Sequence, residues 1–580
     1  MVAPTRRHVI TTTGILATAG VAGGLGRAKG ATANEQRKPL PRLPIGMNLS
    51  GIADYDPGFP FRNLMWGARP WLTTNLECCG PWDTEQIAHF ELDANGYPLE
   101  APIRVPASSE WQVPFTVLPN VRRPGRYVLL HEGTGSFAGV MNTTVLSAQP
   151  GRVLLDMKHN PTLLEGIVIT RSKRGDHVRN IRIVAIEDEK ADLAANPFLP
   201  EFLDFCRSFH CLRFMDWAVT NGSLEEEWGR RKRPDFYTMV GISGDPDGTW
   251  GPPPSAFDYR FSGGVAIEVM LELANMLGVA PWLCIPHRAS DEYIAEYARL
   301  TRAKLDPRLP IYLEYSNELW NWGFIQSHWM LRSTLAGDMV KAKGVQPWED
   351  EGTRAGTAHP ERIGALFRRA FAIWEREWTG RDRARLVRAC TVQHAYIDAA
   401  RRTAEWCARN GGADVLAPGG YFGPGEVEYA AWAAKGAKLS ADDVIADMRR
   451  VLKRDTMPWT RAQAGIAQVY GLGYAVYEGG QHLQPANQEE LPYNPALAAA
   501  QVNPGMYDLY VEDLRLHQEI GCRLFCAYSS VSQQGTRYGS WGAKASYLQP
   551  LAQAPKMRAL LECNTQRVAT SRPGGRAAYE

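Results

Sequence analysis

The chain has no paired C-x-x-C motif, and its ten cysteines are scattered from Cys78 and Cys79 to Cys563. That argues against a cysteine zinc site, a thioredoxin-type redox centre or a disulfide framework, though one or two disulfides remain open. Cys284, Cys390, Cys522 and Cys526 lie in apolar, strand-like runs, where cysteine behaves as a small hydrophobe. Past residue 33 no apolar run reaches the ~20 residues of a membrane span. Neither sign of charge dominates: 64 basic against 62 acidic residues leave a net charge of +2. Nothing in that balance calls for nucleic acid or an anionic membrane as partner. No G-x-G-x-x-G follows a strand, which weakens a dinucleotide-binding sheet.

Tryptophan, by contrast, is abundant. Its 18 copies equal the 18 phenylalanines. Flat indole faces stack on sugar rings, and large cores also use them. At 580 residues the chain exceeds one minimal core, so one large domain with an additional module is expected.

Arg6-Arg7, a mildly apolar segment over 14–25 and Ala31-Thr32-Ala33 fit a twin-arginine export signal over residues 1–33. The mature protein is then expected in the periplasm or outside the cell. Residues 34–90 read as a linker, a first strand over 44–50 and a helix over 61–74. From 91 to 188 short β-like runs alternate with turn signals such as Asp93-Ala94-Asn95-Gly96, the texture of a β-sandwich module.

From residue 189 to 563 strands alternate with helices. Strands are expected at 210–216, 279–285, 311–315, 386–392, 414–417, 473–477 and 522–527. With the first strand these make eight βα units, so the fold class is α/β: a (β/α)8 TIM barrel. The β-sandwich module is inserted between the first and second barrel strands. A Gly/Pro/Trp-rich loop spans 222–262, long enough to expect a functional role. Residues 564–580 read as a disordered tail.

Barrel enzymes place reacting groups at the C-terminal ends of strands. Here those ends are Asn48, Arg213 and Asp216, His287, Asn317 and Glu318, His394, Tyr421, Glu478 and the loop to Trp541. Glu318 and Glu478 stand out. They are 160 positions apart, yet strands four and seven of a barrel face one pocket. A protonated carboxyl opposite an ionised one is what glycoside hydrolysis requires.

The Asn317-Glu318 pair after strand four and Glu478 after strand seven resemble the clan A glycoside hydrolases, family 5-like members above all. The resemblance implies that Glu318 is the acid/base and Glu478 the nucleophile. It also assigns substrate-side roles. Asn317 would hold the sugar 2-hydroxyl and His287 would orient the sugar. Tyr421 would orient Glu478, Arg213 would keep Glu478 ionised, and Trp541 would form an aromatic platform. The phrases Arg213-Phe-Met-Asp-Trp217, Thr220-Asn-Gly-Ser223 and Glu314-Tyr-Ser-Asn-Glu318 are similar to those of exported bacterial proteins labelled only as cellulose-binding or hypothetical.

The expectation is therefore a secreted retaining β-glycoside hydrolase with a carbohydrate substrate. The chemistry needs no cofactor, and no cluster has metal-ligand spacing. The alternative is a glycan-binding protein that keeps the barrel without turnover. The 222–262 loop and the 323–385 excursion could then plug the cleft.

Overall fold

The computed structural model describes residues 39–77, 82–106, 110–119, 123–158, 164–345, 358–566. The expected export signal, Cys78, Cys79 and residues 567–580 of the expected tail lie outside them. Among the described residues no helix is long and apolar enough to cross a membrane.

Eight parallel strands close into a barrel with helices around it. The strands are Ile45–Asn48, Cys211–Arg213, Ala280–Ile285, Ile311–Tyr315, Leu386–Val392, Val415–Phe422, the pair Gly473–Tyr474 and Val476–Gln481, and Phe525–Ala527. Each pairs in parallel with its sequence neighbour. The first also pairs with the eighth, which closes the ring. The architecture is a (β/α)8 barrel.

The barrel interior follows the two-residue period of the strands. Ala280, Trp282 and Cys284 face inward from strand three; Val415 and Ala417 do so from strand six. The intervening Leu283 and Ile285 pack outward against the helices. Small side chains alternate with large ones, so the interior fills without a pore. All eight described cysteines are unpaired and buried. Inside a strand they act as packing atoms.

Strand seven breaks that period at Tyr477-Glu478. Val476 pairs with Phe525, but Gly479 pairs with Ala527, so three steps on strand seven match two on strand eight. This β-bulge turns two consecutive side chains, Tyr477 and Glu478, to the same side. The two glycines that follow are required. A Cβ on Gly479 would sit 2.5 Å from the Phe525 ring, and Gly480 has φ +123° with the Tyr510 hydroxyl 2.6 Å from its missing Cβ.

Two antiparallel sheets lie between barrel strands one and two in the sequence. One holds Gly125–Glu132, Thr143–Gln149, Arg152–Met157 and Arg179–Ala185. The other holds Leu72–Asn75, Ile103–Arg104, Trp111–Leu118, Gly135–Met141 and Glu165–Ser172.

The helix expected over 61–74 does not form. A single 3-10 turn, Leu64–Gly67, is capped by the Asn63 side chain, and the chain then enters the Leu72–Asn75 strand. Gly67 and Pro70 interrupt the helix. The strand's partners, Gln112 to Phe115, are remote in sequence. Strand six extends through Pro418-Gly419-Gly420 to Phe422, well past its expected end at 417.

The ordered chain also passes residue 563, where the tail was expected to follow. Asn564 is buried. Its side chain accepts from the Ile45 N–H at 2.9 Å and donates to the Ser208 carbonyl at 2.7 Å. The Leu43 N–H donates to the Cys563 carbonyl, and the Thr565 N–H to the Leu43 carbonyl. The segments at 42–45 and 563–565 are thus stitched together at the N-terminal ends of the barrel strands.

Candidate active site

Arg213 ends strand two and is fully buried. All five guanidinium hydrogens are spoken for. Nε donates to Glu314 Oε2 at 2.9 Å and Nη2 to Glu314 Oε1 at 3.1 Å. Nη1 donates to Glu478 Oε1 at 2.6 Å and to Asn48 Oδ1 at 2.9 Å; Nη2 also donates to Asn317 Oδ1 at 2.8 Å. One side chain therefore links the ends of strands one, two, four and seven. Burial opposes its charge; the Glu314 and Glu478 carboxylates outweigh that and hold the guanidinium protonated.

Asn48 completes the floor. Its amide donates to the Tyr477 and Ala527 carbonyls at 2.9 and 3.2 Å. Strand one is thereby tied to strands seven and eight at the level of the site.

Glu478 is 3% exposed. Arg213 donates to one of its oxygens, and the Tyr421 hydroxyl donates to the other at 2.7 Å. Glu318, 9% exposed, accepts from the Tyr477 hydroxyl at 2.7 Å and from the Asn321 amide at 2.8 Å. Because Tyr477 and Glu478 are adjacent and face the same way, both glutamates act on the same two phenols, Tyr421 and Tyr477. Burial raises both phenols, Tyr421 and Tyr477, and the neighbouring glutamates raise them further. Both stay protonated as donors.

The backbone around Glu318 is strained. Ser316 has φ +60° and Glu318 φ +44°, left-handed values that side-chain-bearing residues seldom adopt. Such conformations cost about 1–3 kcal/mol each and persist where the surroundings enforce them. Here Asn317, between the two, is gripped from both sides. Its Oδ1 accepts from Arg213, and its Nδ2 donates to Asn221 Oδ1 at 3.0 Å. Gln326 donates to that same Asn221 oxygen at 2.7 Å and to the Asn317 carbonyl at 2.8 Å, and accepts from the Gly222 N–H at 3.0 Å. The loops after strands two and four are sewn together at this point.

Trp541 reaches the site although it lies 14 residues past strand eight. Its ring meets Tyr421 and Tyr528 edge-on at 5.8 Å each, and His482 at 4.5 Å. His482 had no expected role.

Of the residues expected from the sequence, the structure brings Glu318, Glu478, Arg213, Asn317 and Tyr421 into one hydrogen-bonded network, with Trp541 against Tyr421. His287 is not in that network. Its ring is buried against Trp329 at 5.2 Å, and neither nitrogen has a hydrogen-bond partner. His394 also turns away and bonds to Thr460 Oγ1 at 2.9 Å. Arg213 pairs with Glu314 and Glu478, and Asp216 accepts from the Tyr528 hydroxyl at 3.2 Å.

Glu314 and Tyr477, too, were not anticipated as members of the site. Glu314 is fully buried, and accepts from Trp282 Nε1 at 2.8 Å besides Arg213. Burial raises its pKa, Arg213 opposes that, and Glu478 adds to it. A glutamate inside the apolar run Ile311-Tyr-Leu-Glu-Tyr315 was the available signal. Tyr477 is the other; its neighbour Glu478 drew the attention.

Burial lowers His287 to a pKa of about 3, and Arg288 adds to the shift. A histidine depressed from 6.5 stabilises the fold fully above that value and progressively less as pH falls toward 3. We expect His287→Leu to flatten this loss. Between about pH 6 and pH 4 the wild type should lose about 1.4 kcal/mol per pH unit more than the variant, read from urea midpoints. Parallel pH profiles would refute the assignment.

No family model matches the chain, and no curated protein matches it. Among solved structures it is similar to a broad-specificity GH5-4 endoglucanase from Clostridium acetobutylicum, 12% identical over 63% of this chain and 90% of that one, with a TM-score of 0.29. It is also similar to a Bacteroides ovatus GH5 xyloglucanase, 12% identical over 77% and 95%, TM-score 0.27, and to a fungal β-1,4-galactanase, 13% identical over 52% and 92%, TM-score 0.23. Values this low leave the functional reading to the residues of the site.

Proposed function

We propose that this chain is an exported, retaining β-glycoside hydrolase acting on a β-linked poly- or oligosaccharide. The observation that carries the reading is the pair of buried carboxylates, Glu318 and Glu478, held in one network by different donors. Glu478 has a guanidinium on one oxygen and a phenol on the other. Glu318 has neutral donors, Tyr477 and Asn321. Paired carboxylates in unlike surroundings can divide acid and nucleophile roles between them.

Glu478 attacks the anomeric carbon while the Glu318 proton passes to the leaving oxygen. A glycosyl ester on Glu478 results. Glu318 then takes a proton from water, whose oxygen displaces Glu478. The Asn317 amide holds the sugar 2-hydroxyl. Trp541 and Tyr528 give the sugar an apolar wall. Export through the segment 1–33 predicts a mature N-terminus near residue 34.

Retention is testable directly. The first sugar product followed by proton NMR should carry the β configuration; an α product would mean inversion and would remove the nucleophile role of Glu478. A glycan-binding protein without turnover is the second reading. The Asn221–Asn317–Gln326 seam favours it, because it ties the loop after strand two to the loop after strand four beside Glu318. Saturable glycan binding with no product from any β-linked polysaccharide would establish it.

A further inference from the structure

We propose that Tyr477 is a positioning residue for Glu318: its hydroxyl aims the Glu318 carboxyl at the scissile oxygen and stabilises the charge left when the leaving group departs. This rests on the reading of Glu318 as acid/base.

The geometry is specific. Tyr477 is 1% exposed. Its ring lies under Arg213, 5.0 Å from the guanidinium carbon, and its hydroxyl is 2.7 Å from Glu318 Oε1. The strand-seven bulge puts it on the same face as Glu478; regular alternation would send one of the two outward. A rearrangement of strand seven would therefore move the attacking group and the donor to the acid together.

The groups facing the phenol are Glu318, Glu478 and Arg213. Tyr477 and Asn321 donate to Glu318, and Tyr421 feels its charge. With burial and both glutamates raising it, Tyr477 does not compete for the proton. It remains a donor throughout.

In the first step the Glu318 proton moves to the glycosidic oxygen as the C–O bond breaks and its electron pair stays on oxygen. Glu318 becomes a carboxylate. A hydrogen bond to a charged oxygen is stronger than one to a neutral carboxyl. The Tyr477 bond therefore strengthens along the reaction, and such interactions accelerate chemistry.

The test uses Tyr477→Phe with matched phenyl and dinitrophenyl β-glycosides of glucose, galactose, mannose and xylose. A dinitrophenolate leaves without protonation, so its release needs no acid. For the phenyl substrate we expect kcat/KM to fall about 10- to 100-fold, the size of a lost charged hydrogen bond. For the dinitrophenyl substrate kcat/KM should stay within about twofold. The basic limb of the kcat/KM profile should move to higher pH, because a carboxyl without its donor holds its proton more tightly.

An equal fall on both substrates, or an unmoved basic limb, would overturn the proposal. Difluorotyrosine at position 477 provides a second variant that keeps the ring shape. A more acidic phenol should move the basic limb the other way, and a stationary limb again overturns it. Glu318→Gln separates the layers. If it still cleaves the phenyl glycoside like the wild type, the acid/base assignment fails. If it loses that substrate while Tyr477→Phe behaves as wild type, only the role of Tyr477 fails. No wild-type turnover on any of the substrates removes both.

Discussion

Glu478→Gln should lose turnover by about 10⁴-fold or more, the scale on which removing a covalent nucleophile acts. The amide keeps the volume, and its single oxygen can still accept from Arg213 while its NH2 donates to the Tyr421 hydroxyl oxygen. Folding should hold, and the loss should lie in kcat. Smaller variants give a sharper readout. Glu478→Gly opens space for azide beside the anomeric carbon, and an activated β-glycoside should then yield the α-glycosyl azide. Glu318→Gly with azide should yield the β-azide, because Glu478 still forms the ester. The two products have opposite stereochemistry, so one pair of experiments assigns both glutamates. Near-normal activity in Glu478→Gln would sink the assignment. A wild type that binds glycan and never releases product would favour the binding reading.

Arg213→Met should destabilise the fold by about 3–5 kcal/mol and also lose activity. Removing one member of a buried ion pair leaves the other charge uncompensated, and here two carboxylates, Glu314 and Glu478, lose the same partner. The penalty should depend on pH in a defined direction. Burial already raises Glu314, and without Arg213 it is raised further. A carboxyl whose folded pKa lies above its unfolded one binds extra protons in the folded state. Its cost is small below the ordinary glutamate value of about 4.5 and grows as pH rises through the raised one. Arg213→Met should thus lie nearest the wild type in acid and fall behind toward neutrality. Pairing it with Glu314→Gln should recover part of the loss, since coupled neighbours do not add. Urea midpoints of the four proteins at pH 4.5 and 7 would decide. A pH-independent, additive pattern would mean that the network is packing rather than charge.

Much of the barrel was legible because buried parallel strands read as short apolar runs ending in polar residues. Asn48, Arg213, Asn317-Glu318 and Glu478 all sit where such a run stops or is interrupted. The misreadings share one physical cause: local pattern competing with distant partners. Residues 72–75 became a strand because residues 112–115 were there to pair with them. Pro418-Gly419-Gly420 was placed beyond the strand, yet Pro418 lies in register with Val392 and Gly419 with Glu478. Tyr477 was hidden by the bulge, a shift of register with strand eight that no local periodicity contains. Glu314 was visible only as an oddity, a carboxylate among aliphatic neighbours. Its meaning needed Arg213, a hundred residues earlier in sequence. His287 shows the converse limit. A strand-end position did not bring its ring to the glutamates, because Trp329 offered it a packing surface instead.

The stitched segments at 42–45 and 563–565 have a consequence for how the molecule can be presented. Both lie at the N-terminal ends of the barrel strands, and Glu318 and Glu478 stand at the opposite, C-terminal ends. Anything fused beyond either segment, whether a tag, a surface tether or a second module, would leave from the rear of the barrel. The two glutamates would then face away from the support. Either end could serve as the attachment point without one blocking the approach that the other allows.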